Sequence, residues 1–134
     1  MRQLFIISAL AMLTASCKKT RVDNGSIIKN GTYTGTFQRQ VSGNGIISNV
    51  TITFTSVDWS GQSQYTKYPA LCRGTYKING TDQITFEDSC PWTAEFDWTF
   101  ILSGDYKLIV NGNSIQISKD YNNAFKDVYK LTKQ

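Results

Sequence analysis

Few residues in this sequence could perform acid–base or nucleophilic chemistry. None of the 134 residues is a histidine, which removes the commonest general base together with every Ser-His-Asp and Cys-His arrangement. Glycoside hydrolysis needs only a pair of carboxylates, roughly 5 to 9 Å apart. Four carboxylates close together in the sequence therefore define one hypothesis, a glycosidase-like enzyme: Glu87, Asp88, Glu95 and Asp97.

The sequence around two of these carboxylates favours a structural role instead. Glu95 and Asp97 alternate with Phe96 and Trp98, so on a strand with an apolar inner face they would point to solvent. The same oxygens could bind calcium, but no ligand loop is recognisable.

Residues 43–45 lack the lysine and helix of a phosphate loop and are interpreted as a hairpin connection. We therefore predict no catalytic residue, no metal site and no cofactor.

The N-terminus has the three zones of a secretory signal peptide. Arg2 gives a positive start, residues 4–13 form an apolar run, and the small residues 14–16 lead to Cys17. A helix needs about 20 apolar residues to cross a bilayer, and this run has ten. We therefore predict that residues 1–16 are a signal peptide that is removed after export.

The residues around Cys17 also resemble a known processing motif. Leu13-Thr14-Ala15-Ser16-Cys17 resembles the lipobox of bacterial lipoproteins, with Thr14 where leucine is usual, and Ser16-Cys17-Lys18-Lys19 is similar to the start of many Bacteroidetes lipoproteins. The resemblance implies that Cys17 is acylated and holds the mature chain on a membrane. Because Lys18-Lys19 lacks the acidic residues of surface-export signals in that group, it implies the periplasmic side of the outer membrane. The alternative is an ordinary signal peptide in which Cys17 is incidental.

The two remaining cysteines form an even pair once Cys17 carries lipid. Cys72 and Cys90 are eighteen positions apart, and in an exported protein such a pair predicts a disulfide. Cross-linking a loop of that size contributes about 3 kcal/mol to stability. Two free thiols are the alternative.

The net charge of +4 belongs to the N-terminal segment and not to the folded part. Five of the fourteen basic residues precede position 30, whereas residues 30–134 contain nine basic and nine acidic residues. A nucleic-acid-binding domain would carry its positive charge where it could neutralise phosphates. We therefore exclude nucleic acid as a partner and place the basic residues beside an anionic membrane surface.

From about residue 30 the chain alternates apolar and polar residues almost throughout. Residues 50–55 and 95–102 are clear cases, and strands with one apolar face belong to antiparallel sheets. Asn79-Gly80 and Asn111-Gly112 suit tight hairpin turns. The predicted strands lie near residues 31–39, 46–56, 62–67, 72–78, 82–88, 94–103, 105–110, 113–119 and 125–132.

Eight or nine sequential strands predict an all-β domain over residues 30–134. An antiparallel up-and-down meander closed into a barrel buries one apolar face without long edges. A β-sandwich is the alternative, because periodicity does not separate the two. Residues 17–29 are polar and charged and are interpreted as a flexible tether. The long connection at residues 56–71 would fold over a barrel mouth, with the Cys72–Cys90 bridge pinning it or the next strand.

The ends of the predicted domain resemble those of a known fold family. Gly31-Thr32-Tyr33 is similar to the Gly-x-Trp start of lipocalins and other calycins, with Tyr33 in place of tryptophan, and Tyr129-Lys130-Leu131-Thr132 is similar to the way such barrels end. Residues 30–134, including the stretch 86–94, resemble the small lipocalin-like lipoproteins of the Bacteroidetes. The resemblance implies a lipocalin-like barrel, although this chain has no room for the C-terminal helix of lipocalins or the helical lid of fatty-acid-binding proteins.

The aromatic residues are the main candidates for binding. An eight-stranded barrel is either filled by side chains or holds one small ligand, and Gly35 and Gly74 would leave space inside. The residues expected to line an interior or mouth site, or else to pack the core, are Tyr33, Phe54, Tyr76, Phe96, Trp98 and Tyr106. Aromatics expected in or beside loops, either to stack on a flat partner such as a sugar or to pack beneath the loop, are Trp59, Tyr65, Tyr68 and Trp92.

Three functional hypotheses follow from these features. The one we favour is a membrane-anchored, non-enzymatic envelope lipoprotein whose barrel binds a small, mostly apolar ligand. The second is an interaction module with a filled barrel, whose loops bind a glycan or an envelope protein. The third is the glycosidase-like enzyme.

Overall fold

The folded part of the chain is built from eight β-strands and one short 3-10 helix, Trp98–Phe100. A computed structural model describes residues 27–134, apart from the side chains of residues 43 and 44. The predicted signal peptide (1–16), Cys17 and most of the tether (17–29) lie outside the described residues. The strands are β1 (Gly31–Val41), β2 (Gly43–Thr55), β3 (Asp58–Ser63), β4 (Arg73–Asn79), β5 (Gln83–Asp88), β6 (Gly104–Asn111), β7 (Ser114–Tyr121) and β8 (Phe125–Lys133).

The strands form one closed antiparallel barrel. Each strand pairs with its neighbour in the sequence, and β1 closes the sheet on β8 through eight residue pairs, from Tyr33–Lys133 to Gln40–Lys126. The predicted up-and-down meander and its closure into a barrel are confirmed, and the β-sandwich is excluded. Within residues 27–134, no helix is long and apolar enough to span a membrane.

The predicted strand at residues 94–103 is wrong, because this segment is a loop that contains the 3-10 helix. The side chain of Asp97 begins the helix by accepting a hydrogen bond from the backbone N–H of Thr99 at 2.9 Å. The alternation of apolar residues here therefore does not reflect a sheet. Trp98, predicted to face the barrel interior, is 56% exposed, and Phe96 lies outside the barrel, half-buried beside Trp92.

The predicted third strand is displaced along the chain. It was expected at residues 62–67 but begins at Asp58, because Trp59 is an inward-facing strand residue. Trp59 is only 2% exposed. It packs edge-on against Phe86, with ring centroids 5.7 Å apart, and its indole N–H donates to the carbonyl of Glu87 at 3.3 Å. The expectation that Trp59 lies in a loop is therefore wrong.

The barrel interior is filled by aromatic and branched side chains. Phe54 contacts Tyr33 and Tyr76 with ring centroids 5.5 and 5.0 Å apart, and Phe86 contacts Tyr106 at 5.7 Å. Burial raises the pKa of the Tyr106 phenol, which is therefore neutral at pH 7. The buried residues of this core include Phe37, Ile52, Ile78, Ile84, Leu108, Ile115, Ile117, Tyr129 and Leu131.

The inward-facing glycines do not leave space for a ligand. A Cβ atom on Gly35 would lie 1.8 Å from the carbonyl oxygen of Lys130, and one on Gly74 would lie 1.7 Å from that of Glu87. The backbone of the neighbouring strand therefore occupies the place where a side chain would be. These glycines allow close approach of strands in a strongly coiled barrel, and the expectation that they leave space is wrong.

The two ends of the barrel differ in character. Because the strands alternate in direction, the connections 64–72 and 89–103 lie at the same end, which we call the distal end. The chain enters at the opposite, proximal end, where Ile28 is 1% exposed and packs into the core. The hydroxyl of Tyr33 donates to the carbonyl of Lys29 at 2.9 Å. The packed part of the chain therefore begins before the predicted boundary at residue 30.

A buried arginine joins the barrel wall to the distal loops. Arg39 of β1 forms two hydrogen bonds to Asp127 of β8, at 2.7 and 2.8 Å. A third nitrogen of its guanidinium donates to Asp97, ahead of the 3-10 helix, at 3.1 Å. The guanidinium carbon lies 3.7 Å from the ring centroid of Phe100 and 4.1 Å from that of Phe125. The bidentate pair and the two rings fix Arg39 in place.

We expect Arg39→Gln to lower the free energy of unfolding by about 3–5 kcal/mol, because it leaves Asp127 buried without its charged partner. Urea unfolding followed by circular dichroism measures the change. Arg39→Gln combined with Asp127→Asn should recover part of the loss, and Gln40→Ala, at the exposed neighbouring position, is the control. A loss below about 1 kcal/mol would show that the pair is not a buried ion pair.

Candidate functional site

The distal loops are fastened to each other by covalent and backbone bonds. A disulfide joins Cys72 to Cys90, with 6.4 Å between their Cα atoms, as predicted. The backbone N–H of Ala70 donates to the carbonyl of Phe100 at 2.9 Å, and the N–H of Leu102 donates to the carbonyl of Ala70 at 3.3 Å. These contacts bring residues 64–72 and 89–103 together into one braced surface.

A polar cluster of Lys67, Thr93 and Glu95 lies where the two loops meet. The ammonium of Lys67 donates to the hydroxyl of Thr93 at 3.0 Å and to the carboxylate of Glu95 at 2.9 Å. It also lies 4.7 Å from the ring centroid of Phe96. The pKa of Glu95 is lowered to about 2, most by the hydrogen bond to the Thr93 hydroxyl and next by that to the Lys67 ammonium. Glu95 is therefore an ionised, exposed acceptor at neutral pH.

Two tryptophans next to this cluster are held in fixed orientations. The indole N–H of Trp98 donates to the carbonyl of Thr93 at 2.9 Å, and that of Trp92 donates to the carboxylate of Asp88 at 2.9 Å. Trp92 is half-buried, and its ring lies 5.7 Å from that of Phe96 in an edge-on contact. Each bond fixes one edge of an indole and leaves ring surface accessible.

An open groove of about 360 Å³ runs beside Trp92. Trp92 contributes to one side, and Lys67 of the polar cluster also lines the groove. A Cβ atom on Gly61 would lie 3.3 Å from the side chain of Leu71, so a larger residue at this position would crowd the wall of the groove. The lining residues of this distal groove are Gly61, Gln62, Ser63, Thr66, Lys67, Ala70, Leu71 and Trp92.

The structure divides the predicted interior residues into two groups. Tyr33, Phe54, Tyr76 and Tyr106 lie inside the barrel, where they pack against one another and against Phe86. Phe96 and Trp98 lie at the distal end, as described above. The six residues therefore do not form one site.

Of the predicted loop aromatics, Trp59 is a core residue and the other three lie at the distal end. Tyr65 is exposed. Tyr68 packs against Phe37 and Phe100, at 5.3 and 5.0 Å between ring centroids, and its hydroxyl donates to the carbonyl of Ile46 at 2.9 Å. Tyr68 thus ties the β1–β2 hairpin to the loop, whereas Tyr65 and Trp92 contribute to the surface.

The four carboxylates considered for acid–base chemistry have structural partners or face outward. Glu87 is exposed on the outer face of β5, and Asp88 accepts hydrogen bonds from the backbone of Cys90 and from Trp92. The pKa of Asp97 is lowered, most by the hydrogen bond from the Thr99 hydroxyl and next by that from the Thr99 backbone N–H. The pKa of Glu95 is lowered as well. A general acid of glycoside hydrolysis requires a raised pKa. Within residues 27–134, no group of three or more histidines, cysteines and carboxylates is placed to hold a metal ion.

Sequence reasoning did not identify Arg39, Asp127 or Lys67 as important. The first two had a detectable signal, because each continues the inward-facing alternation of its strand, after Phe37 on β1 and before Tyr129 on β8. A charged residue at an inward-facing position is rarely buried unless it is paired. Lys67 had no such signal, because its partners come from a loop whose path the sequence did not indicate.

Comparison of the chain with family models, with curated proteins and with solved structures gave no match.

We expect the side-chain carboxyl of Glu95 to titrate with a pKa of about 2, measured by NMR as a function of pH. Thr93→Val should raise this pKa most and Lys67→Met should raise it less, both towards the ordinary value of 4.5, whereas Lys130→Met, at an exposed lysine of β8, should leave it unchanged. Because the folded pKa is the lower one, the contribution of Glu95 to stability is present above the unfolded value and is lost as the pH falls through about 2. A pKa near 4.5 in the unchanged protein would contradict the polar cluster.

Proposed function

We propose that this chain is a non-enzymatic lipoprotein of the cell envelope that binds a partner through its distal loops. Its filled barrel serves as the scaffold, and acyl chains on Cys17 hold it on the outer membrane, facing the periplasm. The observation that carries the proposal is the position of the two long, disulfide-linked connections at the end opposite to the one where the chain enters. The similarity to small lipocalin-like lipoproteins supports the same assignment.

The anchor and the binding surface would then lie at opposite ends of the molecule. Ten residues lie between Cys17 and Ile28, and the eleven Cα–Cα steps from one to the other reach at most about 40 Å. Lys18, Lys19 and Arg21 in this segment favour an anionic lipid surface. Because Ile28 packs at the proximal end, the distal groove and Trp98 would face away from the membrane and remain accessible to partners.

The packing of the interior favours a barrel that serves as a scaffold over a barrel that holds a ligand. The inward-facing aromatic rings contact one another, and the two inward-facing glycines are covered by neighbouring backbone. A ligand inside would have to displace these side chains, and each large buried aromatic contributes several kcal/mol to stability through its packing. The lowered pKa values of Glu95 and Asp97 likewise argue against either carboxyl acting as the general acid of a glycosidase.

One observation favours a second candidate function, the binding of a small lipophile inside the barrel. The hydroxyl of Tyr76 is buried and has no hydrogen-bond partner among the described residues. An unpaired buried hydroxyl costs free energy, and the polar head of an amphiphile entering from the proximal end would satisfy it. Such a ligand would have to displace Ile28, which packs there.

To test the anchor, we expect metabolic labelling with palmitate to mark the full chain and fractionation to find it in the outer membrane. Cys17→Ser should abolish the label and release the protein as a soluble form, because it removes the acylated thiol. Cys72→Ser combined with Cys90→Ser is the control that should retain the label. Labelling of the Cys17→Ser variant, or a soluble wild-type protein, would contradict the anchor.

For the filled barrel, we expect native mass spectrometry of the mature protein with added palmitate to show no one-to-one complex, because an acyl chain would have to displace the aromatic side chains that pack against one another inside. A complex that is retained in Trp98→Ala and lost in Tyr76→Phe would instead establish the second function. Because both variants change a single aromatic residue, one in the loops and one inside, they separate the two sites.

A further inference from the structure

We propose that the ligand of the distal surface is an uncharged oligosaccharide, which lies in the distal groove against Trp92 and extends to Trp98. This inference rests on the proposed function and specifies the partner of the same surface. It follows from the two fixed indoles, the polar cluster next to both of them and the balance of charge around them.

The two indoles are already arranged for stacking. The apolar C–H face of a pyranose ring packs on the face of an aromatic ring, and binding is stronger when the aromatic ring does not have to be ordered first. Trp98 is exposed, yet its N–H is held by the carbonyl of Thr93, and Trp92 is held in the same way by Asp88. An exposed tryptophan whose edge is held by a hydrogen bond is preorganised for stacking on a flat apolar surface.

The polar cluster provides hydrogen-bonding groups next to both indoles. Lys67 lines the groove beside Trp92 and donates to Thr93, whose carbonyl holds Trp98. Glu95 is ionised, and its side chain is 66% exposed, so it can accept hydrogen bonds from sugar hydroxyls. Stacking faces with charged and hydroxyl groups beside them match a chain of sugar rings, which has both apolar faces and hydroxyl edges.

The charges favour an uncharged ligand. The ammonium of Lys67 is paired with the carboxylate of Glu95, and Asp97 beside Trp98 is paired with Arg39. An anionic or cationic glycan would therefore meet a surface whose neighbouring charges are already compensated. The Oδ1 atom of Asp88 accepts hydrogen bonds from Cys90 and Trp92, and its Oδ2 atom is buried without a hydrogen-bond partner among the described residues.

A protein partner fits this surface less well. Its core would require a contiguous apolar patch, whereas the half-buried indole of Trp92 and the exposed indole of Trp98 are each bordered by polar groups. The exposed aliphatic residues of the distal end, Val41, Ile46 and Ile47, belong to the β1–β2 hairpin and do not line the groove. The groove volume of about 360 Å³ is at the lower end of the range for small-ligand sites, roughly 300 to 1,000 Å³.

The proposal is tested by titrating the mature lipoprotein, purified in detergent, with defined sugars. Cellotetraose and chitotetraose have equatorial substituents and flat apolar faces, and tetragalacturonate is a charged counterpart. Calorimetry gives the dissociation constants, and tryptophan fluorescence reports on Trp92 and Trp98, because Trp59 is enclosed in the core. We expect at least one of the two uncharged sugars to bind and tetragalacturonate to bind more weakly.

We expect Trp98→Ala and Trp92→Ala each to weaken that binding about fivefold or more, since each removes a stacking face. Trp98→Tyr should restore most of it, and Ile109→Ala, an exposed apolar residue on the side of the barrel, should have no effect. Thermal unfolding of each variant shows whether the fold is retained. Because Trp98 is exposed, its replacement should leave the fold intact even where that of Trp92 does not.

Two results would contradict the inference that the ligand is an oligosaccharide without contradicting the proposed function. One is the absence of binding by both uncharged sugars, with capture of an envelope protein that depends on Trp98 or Ile47. The other is sugar binding that persists in both tryptophan variants. If neither sugar binds and palmitate forms the Tyr76-dependent complex, the oligosaccharide and the proposed function both fail.

Discussion

The contact of Arg39 with Asp127 and Asp97 connects the parts of this protein. A barrel alone would leave its distal loops attached only at their ends, but Arg39 joins the strands that close the sheet to the start of the 3-10 helix. The ring of Phe100, which follows Asp97 in that helix, covers the guanidinium. The hydroxyl of Tyr121 donates to the carbonyl of Thr99 at 3.0 Å and fastens the same segment from β7. The shape of the distal surface therefore depends on a charge buried in the barrel mouth.

The division between interior and end surface has a simple physical origin. An eight-stranded barrel is wide enough either for its own side chains or for one small ligand, and here eight of the eighteen buried core residues are aromatic. Tyrosine and phenylalanine fill the space, and Gly35 and Gly74 let neighbouring strands approach where a further side chain would not fit. Specific chemistry is left to the connections, which are short at the proximal end and long only where β3 meets β4 and β5 meets β6.

The alternation of apolar and polar residues was enough to predict the barrel, because a period of two on successive segments with short turns leaves few ways to bury one face. The disulfide was predictable from the number of cysteines, because Cys72 and Cys90 are the two that lie within the predicted domain. The alternation failed at residues 94–103, where Asp97 caps a turn and Arg39, more than fifty positions away in the sequence, holds it. Neither contact is visible in the segment itself. The candidate site was only partly predictable: Trp92 and Tyr65 were identified as loop aromatics, but the interior assignment of Trp98 was wrong and Lys67 was missed.

The disulfide between Cys72 and Cys90 makes the order of the distal surface depend on the redox state of its surroundings. The strands need no oxidant, because their pairing and their core are complete without sulfur chemistry. The two loops differ, since without the disulfide they are held together by backbone hydrogen bonds, by the contacts of Lys67 with Thr93 and Glu95, and by the packing of Tyr68 on Phe100. Reduction of the disulfide would therefore loosen the distal surface and leave the strand pairing of the barrel in place. The redox state of the surroundings would thus act on the proposed binding surface and not on the fold that carries it.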